Sequence, residues 1–173
     1  ATGDLNAVDI EGLTDGAYFT ITSAPAHGAV TIHPQSGNWT YTPNANYFGN
    51  DAFQVTVTDD LQGTTAANLQ VIITPVDDPS IITGDFNATI AEDAVANGDL
   101  NAVDIEGLTD GSYFTLSNAP AHGTATIHAT TGNWTYTPNA NYFGNDAFQV
   151  TVTDDLQGTT AANLQVIITP VDD

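Results

Sequence analysis

Nearly every side chain in this sequence that could do chemistry is a carboxylate. Its 173 residues include 21 Asp and Glu and four His, with no Cys, Lys or Arg. Acids in that company can hold a hard cation through oxygen ligands or work in pairs as the acid and base of a hydrolase. Glu92-Asp93 and Asp154-Asp155 have the residue types for the second role. Adjacent acids are ordinary turn formers, however, so no catalytic residue is assigned and the chain is read as not an enzyme. His27, His33, His122 and His128 lack cysteine partners and metal-site spacing, and are read as turn and strand residues. The same composition excludes partners. A formal charge of -21 with no fixed cation cannot neutralise phosphates, which rules out nucleic acid and anionic membrane surfaces.

The elements that position these acids come from comparing the chain with itself. Asp4 recurs as Asp99, His27 as His122, Trp39 as Trp134 and Asp78 as Asp173, always 95 residues on. Of the 78 positions that overlay, ten differ, and none of the ten is acidic. The chain is therefore a tandem array, divided as residues 1–78 and 79–173. Pro79 to Val95 precedes the second copy and has no counterpart before Ala1. The first repeat is accordingly expected to be truncated and to lack its opening strand. The start at Ala1, without a leader, suggests an excised fragment.

Within a repeat the apolar period is two. Phe148, Val150 and Val152 alternate with Gln149, Thr151 and Thr153, and Leu164, Val166 and Ile168 with Gln165 and Ile167. Strands are expected also at Ala88 to Ile90, Leu100 to Val103, Tyr113 to Leu116, Ala125 to His128 and Trp134 to Tyr136. Turn signals such as Asn118-Ala-Pro and Asn141-Tyr-Phe-Gly-Asn separate them. No run is long enough to cross a bilayer, so a soluble, folded chain is expected. Seven short strands without helical periodicity predict an all-β chain of Greek-key sandwiches of the immunoglobulin-like type.

Alternating strand direction then sorts the acids. Asp104-Ile-Glu106 and Asp154-Asp155 fall at one pole of the sandwich. Glu92-Asp93, Asn145-Asp146 and Asp172-Asp173 fall at the other. Like charges collect where successive repeats meet, and calcium, with six to eight oxygen ligands in flexible geometry, would relieve the repulsion. Asp15 and Asp110, in Thr-Asp-Gly sequences, are read as turn formers only.

The runs Asn118-Ala-Pro-Ala-His-Gly, Trp134-Thr-Tyr-Thr-Pro-Asn-Ala-Asn-Tyr-Phe-Gly-Asn-Asp-Ala-Phe and Val150-Thr-Val-Thr-Asp-Asp, closing on Thr169-Pro-Val-Asp-Asp, resemble bacterial cadherin-like repeats of the tandem-95 and VCBS-like group. Such repeats belong to large secreted adhesins of the RTX type. The resemblance implies cadherin-like sandwiches joined end to end, with calcium at the junctions, in the stalk of a surface or biofilm adhesin. Motif by motif, Asp104-Ile-Glu106 is similar to the cadherin Asp-x-Asp loop, with Glu106 a departure, and Val152-Thr-Asp154 to the Ala-x-Asp motif. Val76-Asp77-Asp78-Pro79 is similar to the acidic linker, Asp51 to the lower-loop acid of the preceding domain, and Glu92 to the early-strand Glu. The metal ligands so implied are Asp51, Asp77, Asp78, Asp104, Glu106, Asp154 and Glu92, with Asp9, Glu11 and Asp59 as first-copy equivalents and Asp146 and Asp172 at the lower pole.

The expected function is a calcium-rigidified structural extender, secreted or at the bacterial cell surface. Its partners would be neighbouring repeats, with polysaccharide or homophilic contacts as further candidates. The alternative is a carbohydrate-binding module. Trp39 and Tyr41, and likewise Trp134 and Tyr136, are two apart on a strand and share a face. They are core if that face is covered and a sugar-stacking platform if it is not.

Overall fold

The alternating runs become strands wherever one parity is apolar. In the computed structural model, which describes residues 1–10, 12–14 and 16–172, the chain divides into two compact units, Ala1–Pro75 and Val76–Asp173. Glu11, Asp15 and Asp173, three of the acids considered above, lie outside the described residues. The boundary falls ahead of Asp77 and Asp78 and assigns both to the second unit, whereas the repeat arithmetic places them at the end of the first.

The second unit contains β7 (Ile81–Gly84), β8 (Asn87–Ala91), β9 (Ala96–Val103), β10 (Phe114–Asn118), β11 (Gly123–Ile127), β12 (Asn133–Pro138), β13 (Gly144–Thr153) and β14 (Thr159–Thr169). One sheet has the order β10-β13-β14-β8 and the other β11-β12-β9-β7. All pairs are antiparallel except β14 with β8, which sets Gln165 opposite Asn87 and Thr169 opposite Ala91. The chain crosses from one sheet to the other between β7 and β8, at Gly84 with φ 124. A side chain there would overlap the Asp99 carbonyl, so only glycine makes this crossing without strain. Strand β7 is an addition to the expected seven. Ile81-Ile-Thr is short and follows a proline, which hides its β-branched character, yet it pairs with Leu100–Val103.

Between the sheets lie Leu100, Phe114, Trp134, Tyr136, Phe148, Val150, Val152, Leu164, Val166 and Ile168, all buried. Trp134 meets Phe148 edge-on with centroids 5.6 Å apart. Each such side chain removed from water contributes roughly 1.5–3 kcal/mol before the entropy of ordering is subtracted. The aromatic platform is thereby corrected. Trp134 is 2% exposed, Tyr136 0% and Tyr41 2%, and Trp39 is half-buried against Phe53. Rings that point between the sheets offer no face to a sugar.

The first unit contains β1 (Thr2–Gly3), β2 (Phe19–Ser23), β3 (Gly28–Ile32), β4 (Trp39–Pro43), β5 (Gly49–Thr58) and β6 (Thr64–Ile73). Its sheets run β1-β4-β3 and β2-β5-β6 over a smaller core of Phe19, Tyr41, Phe53, Val55 and Val71.

Candidate functional site

The acids of the second unit separate into two kinds of environment, one at each end. At the end where β13 finishes, Asp154 is 1% exposed. Its Oδ1 accepts the backbone N–H groups of Leu156 at 2.9 Å and Gly158 at 2.8 Å, tying the turn into β14. The carboxyls of Asp77 and Asp154 both lie over Gly158, where any side chain would overlap them. Loss of water around the Asp77 carboxyl, then the charge of Asp154 and a hydrogen bond between the two, push it above the usual carboxylate range. Asp104 and Asp78 add to the rise.

Asp104 joins the group through its loop. Its Oδ1 accepts Glu106 N at 3.0 Å and Gly107 N at 3.3 Å, and its Oδ2 accepts the Ser80 hydroxyl at 2.8 Å. Glu106 reaches back to the linker, where its Oε2 accepts Asp78 N at 3.2 Å. Asp77, Asp78, Asp104, Glu106 and Asp154 thus sit together on one end of the unit. The neighbouring Asp155 is spent on the loop itself, accepting the Thr109 N–H at 2.8 Å and hydroxyl at 2.6 Å, which hold its carboxyl below the usual range.

Two members of this site were not foreseen. Ser80 is buried and orients Asp104, and Gly158 makes room for two carboxyls. The only hint of Ser80 in the sequence is its place directly after the acidic linker and Pro79. Gly158 reads as an ordinary turn glycine.

At the opposite end, Asp146 is a correction. The turn propensity of Asn145-Asp146 predicts a loop acid open to a cation, but β13 begins two residues earlier and turns Asp146 inward with Phe148, Val150 and Val152. Its oxygens accept Ala121 N at 3.0 Å, His122 N at 2.8 Å, Ala147 N at 2.9 Å and the Tyr136 hydroxyl at 2.9 Å. Burial alone would raise its pKa, but these four donors outweigh it and hold the carboxyl low, while burial and the Asp146 charge drive Tyr136 up. Asp51 repeats the arrangement with Ala26, His27, Ala52 and Tyr41 at 2.8–3.0 Å. Asp51 falls to about 2 and Tyr41 rises to about 12, the latter through burial first and Asp51 second. With four donors on two oxygens, neither Asp51 nor Asp146 has lone pairs left over for a metal.

Among the remaining acids, Glu92 Oε1 accepts Val171 N at 2.6 Å and fastens the end of β8 to the last strand. Asp172 is exposed. In the first unit Asp9 Oδ1 accepts Gly12 N at 3.3 Å, and Asp59 Oδ1 accepts Leu61 N at 2.9 Å and Gly63 N at 2.7 Å. Among the described residues no group of three or more His, Asp or Glu is arranged to hold a metal ion as it stands. What the Asp77 end has instead is carboxyls pressed together tightly enough to hold Asp77 above the usual carboxylate range.

Residues 77–167 match the family model described as a bacterial Ig domain, more than half of the chain. The chain belongs to that family. Residues 1–75 match the family model described as a bacterial cadherin-like domain, and the 95-residue repeat carries that likeness into the second unit. No curated protein matches the sequence. Among solved structures, the chain is similar to human CDH23 EC21-23 (TM-score 0.60, 17% identity, 98% of this chain and 67% of that one). It is similar also to protocadherin gamma B7 domains 1-4 (TM-score 0.62, 13% identity, 100% and 47%) and to the human desmocollin-1 ectodomain (TM-score 0.54, 14% identity, 99% and 38%). The chain spans 37% of protocadherin gamma B2 domains 1-5. At such identities the likeness shows the fold. Bacterial Ig and cadherin-like domains are typically extracellular, non-catalytic modules of the adhesion type, and among the described residues no helix is long and apolar enough to cross a membrane.

Proposed function

We propose that the two repeats are a calcium-binding extender in the stalk of a large bacterial cell-surface or biofilm adhesin. The observation that carries this is the Asp77 carboxyl, held against Asp154 beside Asp104 and Asp78 in a chain without Lys or Arg. Five carboxyls with no cation in the sequence to offset them cost free energy at neutral pH, and a divalent ion removes that cost where a proton otherwise would.

Asp77, Asp78, Asp104, Glu106 and Asp154 are the residues that would hold calcium. The ion would supply positive charge and draw on backbone carbonyls for its further oxygens. Asp51 and Asp146 are left out because their oxygens are already spent. Asp77 and Asp78 belong to the linker, so an ion shared with Asp104 and Asp154 ties the linker to the sandwich and limits the angles the joint can sample. Pro75 and Pro79 on either side of them already restrict it.

Calcium should raise the melting temperature of the second unit by mass action, at about 2.7 kcal/mol for an ion concentration 100 times its Kd. Asp77→Asn, Asp104→Asn or Asp154→Asn should each remove most of the response, since Asn keeps an acceptor but loses the charge, while Asp110→Asn should leave it intact. Scattering should show a narrower distribution of shapes with calcium than with chelator. Identical melts in chelator and in millimolar calcium would sink the proposal, and equal losses from all four substitutions would reduce it to diffuse screening.

A further inference from the structure

The acids that dominate this chain are missing from one face of each unit. In the second unit the outward positions of sheet β10-β13-β14-β8 hold Thr, Ser, Asn, Gln, Ala and Ile167, without a single Asp or Glu. The outward face of sheet β2-β5-β6 in the first unit is the same.

These polar groups are ordered. Ser117 Oγ donates to Gln149 Oε1 at 3.3 Å, and Gln149 Nε2 donates to Asn163 Oδ1 at 3.2 Å, forming a row across three strands. In the first unit Thr22, Gln54 and Asn68 form the same row at 3.1 Å and 3.1 Å. Position 22 is one of the ten at which the repeats differ, and Ser117 in its place preserves the hydroxyl. Each carboxamide oxygen is taken by its neighbour, so the last amide of the row, Asn163 or Asn68, is left to offer its N–H groups outward. Shallow depressions adjoin the rows. One of about 310 Å³ is lined by Ser23, Ala52, Gln54, Asn68 and Gln70, and one of about 120 Å³ by Asn87, Thr89, Gln165 and Ile167.

We infer that this amide face binds a neutral polysaccharide. A polyanion is repelled by a chain of -21, and a polycation is drawn to the acid-rich ends instead. A second copy would bring two such charges side by side. An uncharged polyhydroxyl chain meets none of these penalties, and its hydroxyls both donate and accept, as Ser, Thr, Asn and Gln require. The internal hydrogen bonds fix the amides before binding and lower the entropy cost of capture. Ala147, Ala161 and Ile167 supply small apolar patches for the C–H faces of sugar rings. The inference concerns a different surface from the calcium reading and does not rest on it.

The test is native gel electrophoresis of the full chain through gels containing dextran, galactomannan, xyloglucan or alginate, each with calcium and with chelator. At least one neutral polymer should retard the chain in both conditions, and alginate, a polyuronate, should not. A variant carrying Gln54→Glu, Asn68→Asp, Gln149→Glu and Asn163→Asp keeps the shape and adds charge, and should weaken binding by about tenfold or more. If it fails to fold, Asn68→Ala with Asn163→Ala should still lower the retardation. The inference is overturned by no retardation in all three neutral polymers, by retardation that survives these substitutions, or by equal retardation in alginate. Sedimentation showing a dimer that the substitutions dissolve would also overturn it, because the face would then join copies of the chain.

Discussion

Two stretches that are identical in sequence end in different surroundings. Leu164 and Val152 are sealed in the second unit, while their counterparts Leu69 and Val57 are half-buried in the first. Ile10 is 100% exposed and Ile105 46%. In the second unit β7 lies against β9, β8 lies against β14, and Phe86, Ala88 and Ile90 pack on the core. Among the described residues the first unit has no strand in those places. The acids divide along the same line. Asp51 and Asp146 have matching partners because every donor they use lies inside the shared repeat. Asp154 gathers Asp77 and Asp104 around it, whereas Asp59, with no counterpart of Asp77 among the described residues, accepts the N–H groups of Leu61 and Gly63 in its own turn. A residue's role is repeated only when all of its partners are.

The two tryptophans, one per unit, make this comparison measurable. Trp134 reports the second unit when Trp39 is Phe, and Trp39 the first when Trp134 is Phe. The largest effect should come from Leu164→Ala, which empties a sealed site and should cost about 3 kcal/mol in urea unfolding. Leu69→Ala should cost roughly half as much, since part of that side chain is already in water. Equal costs would mean that β7 and β8 add little to the packing of β14.

The corner carboxylates sharpen the other side of the comparison. Asp146→Ala strands a buried tyrosine hydroxyl and three backbone N–H groups, and should destabilise its unit by about 2 kcal/mol. Asp51→Ala should do the same to the first unit, within error, because the two sets of partners match. A clear difference between them would show that the surroundings of the corner matter more than its hydrogen bonds.

The smallest effect is a pH dependence that separates the two units above pH 3.8. Asp77 is raised above 3.8, so in chelator the second unit should gain stability as pH falls from neutral through that raised value, with the gain complete by 3.8. In the first unit Asp51, lowered to about 2, holds its stabilising effect above 3.8 and loses it progressively as pH falls toward 2, and the lowered Asp146 gives the second unit a loss of the same sign below 3.8. Fluorescence melts of the single-tryptophan variants across this range should separate the two trends, and calcium should flatten the first. A second unit that loses stability steadily from neutral pH downward would contradict the crowding of acids around Asp77.

Much of the architecture was legible before the structure. Alternation located β13 and β14, and even the inward turn of Asp146 follows from its parity with Phe148, Val150 and Val152. Asp and Asn are turn formers, so Asn145-Asp146 reads as a loop in the sequence, and packing against Tyr136 overrides that preference. Strand β7 was missed because three β-branched residues after a proline carry little signal.

The sequence by itself determined the repeat, the all-β class, the parity of each strand, and the excess of acids over basic residues, since all of these are local or are counted along the chain. Only the tertiary structure decided which acids are spent and which remain. Asp146 is consumed by donors that come to it from three separate strands and turns. Asp77 and Asp154 are 77 positions apart and meet over Gly158. A carboxylate's chemistry depends on the donors and charges within a few ångströms of it, and those neighbours are set by how strands stack, which no spacing along the chain records.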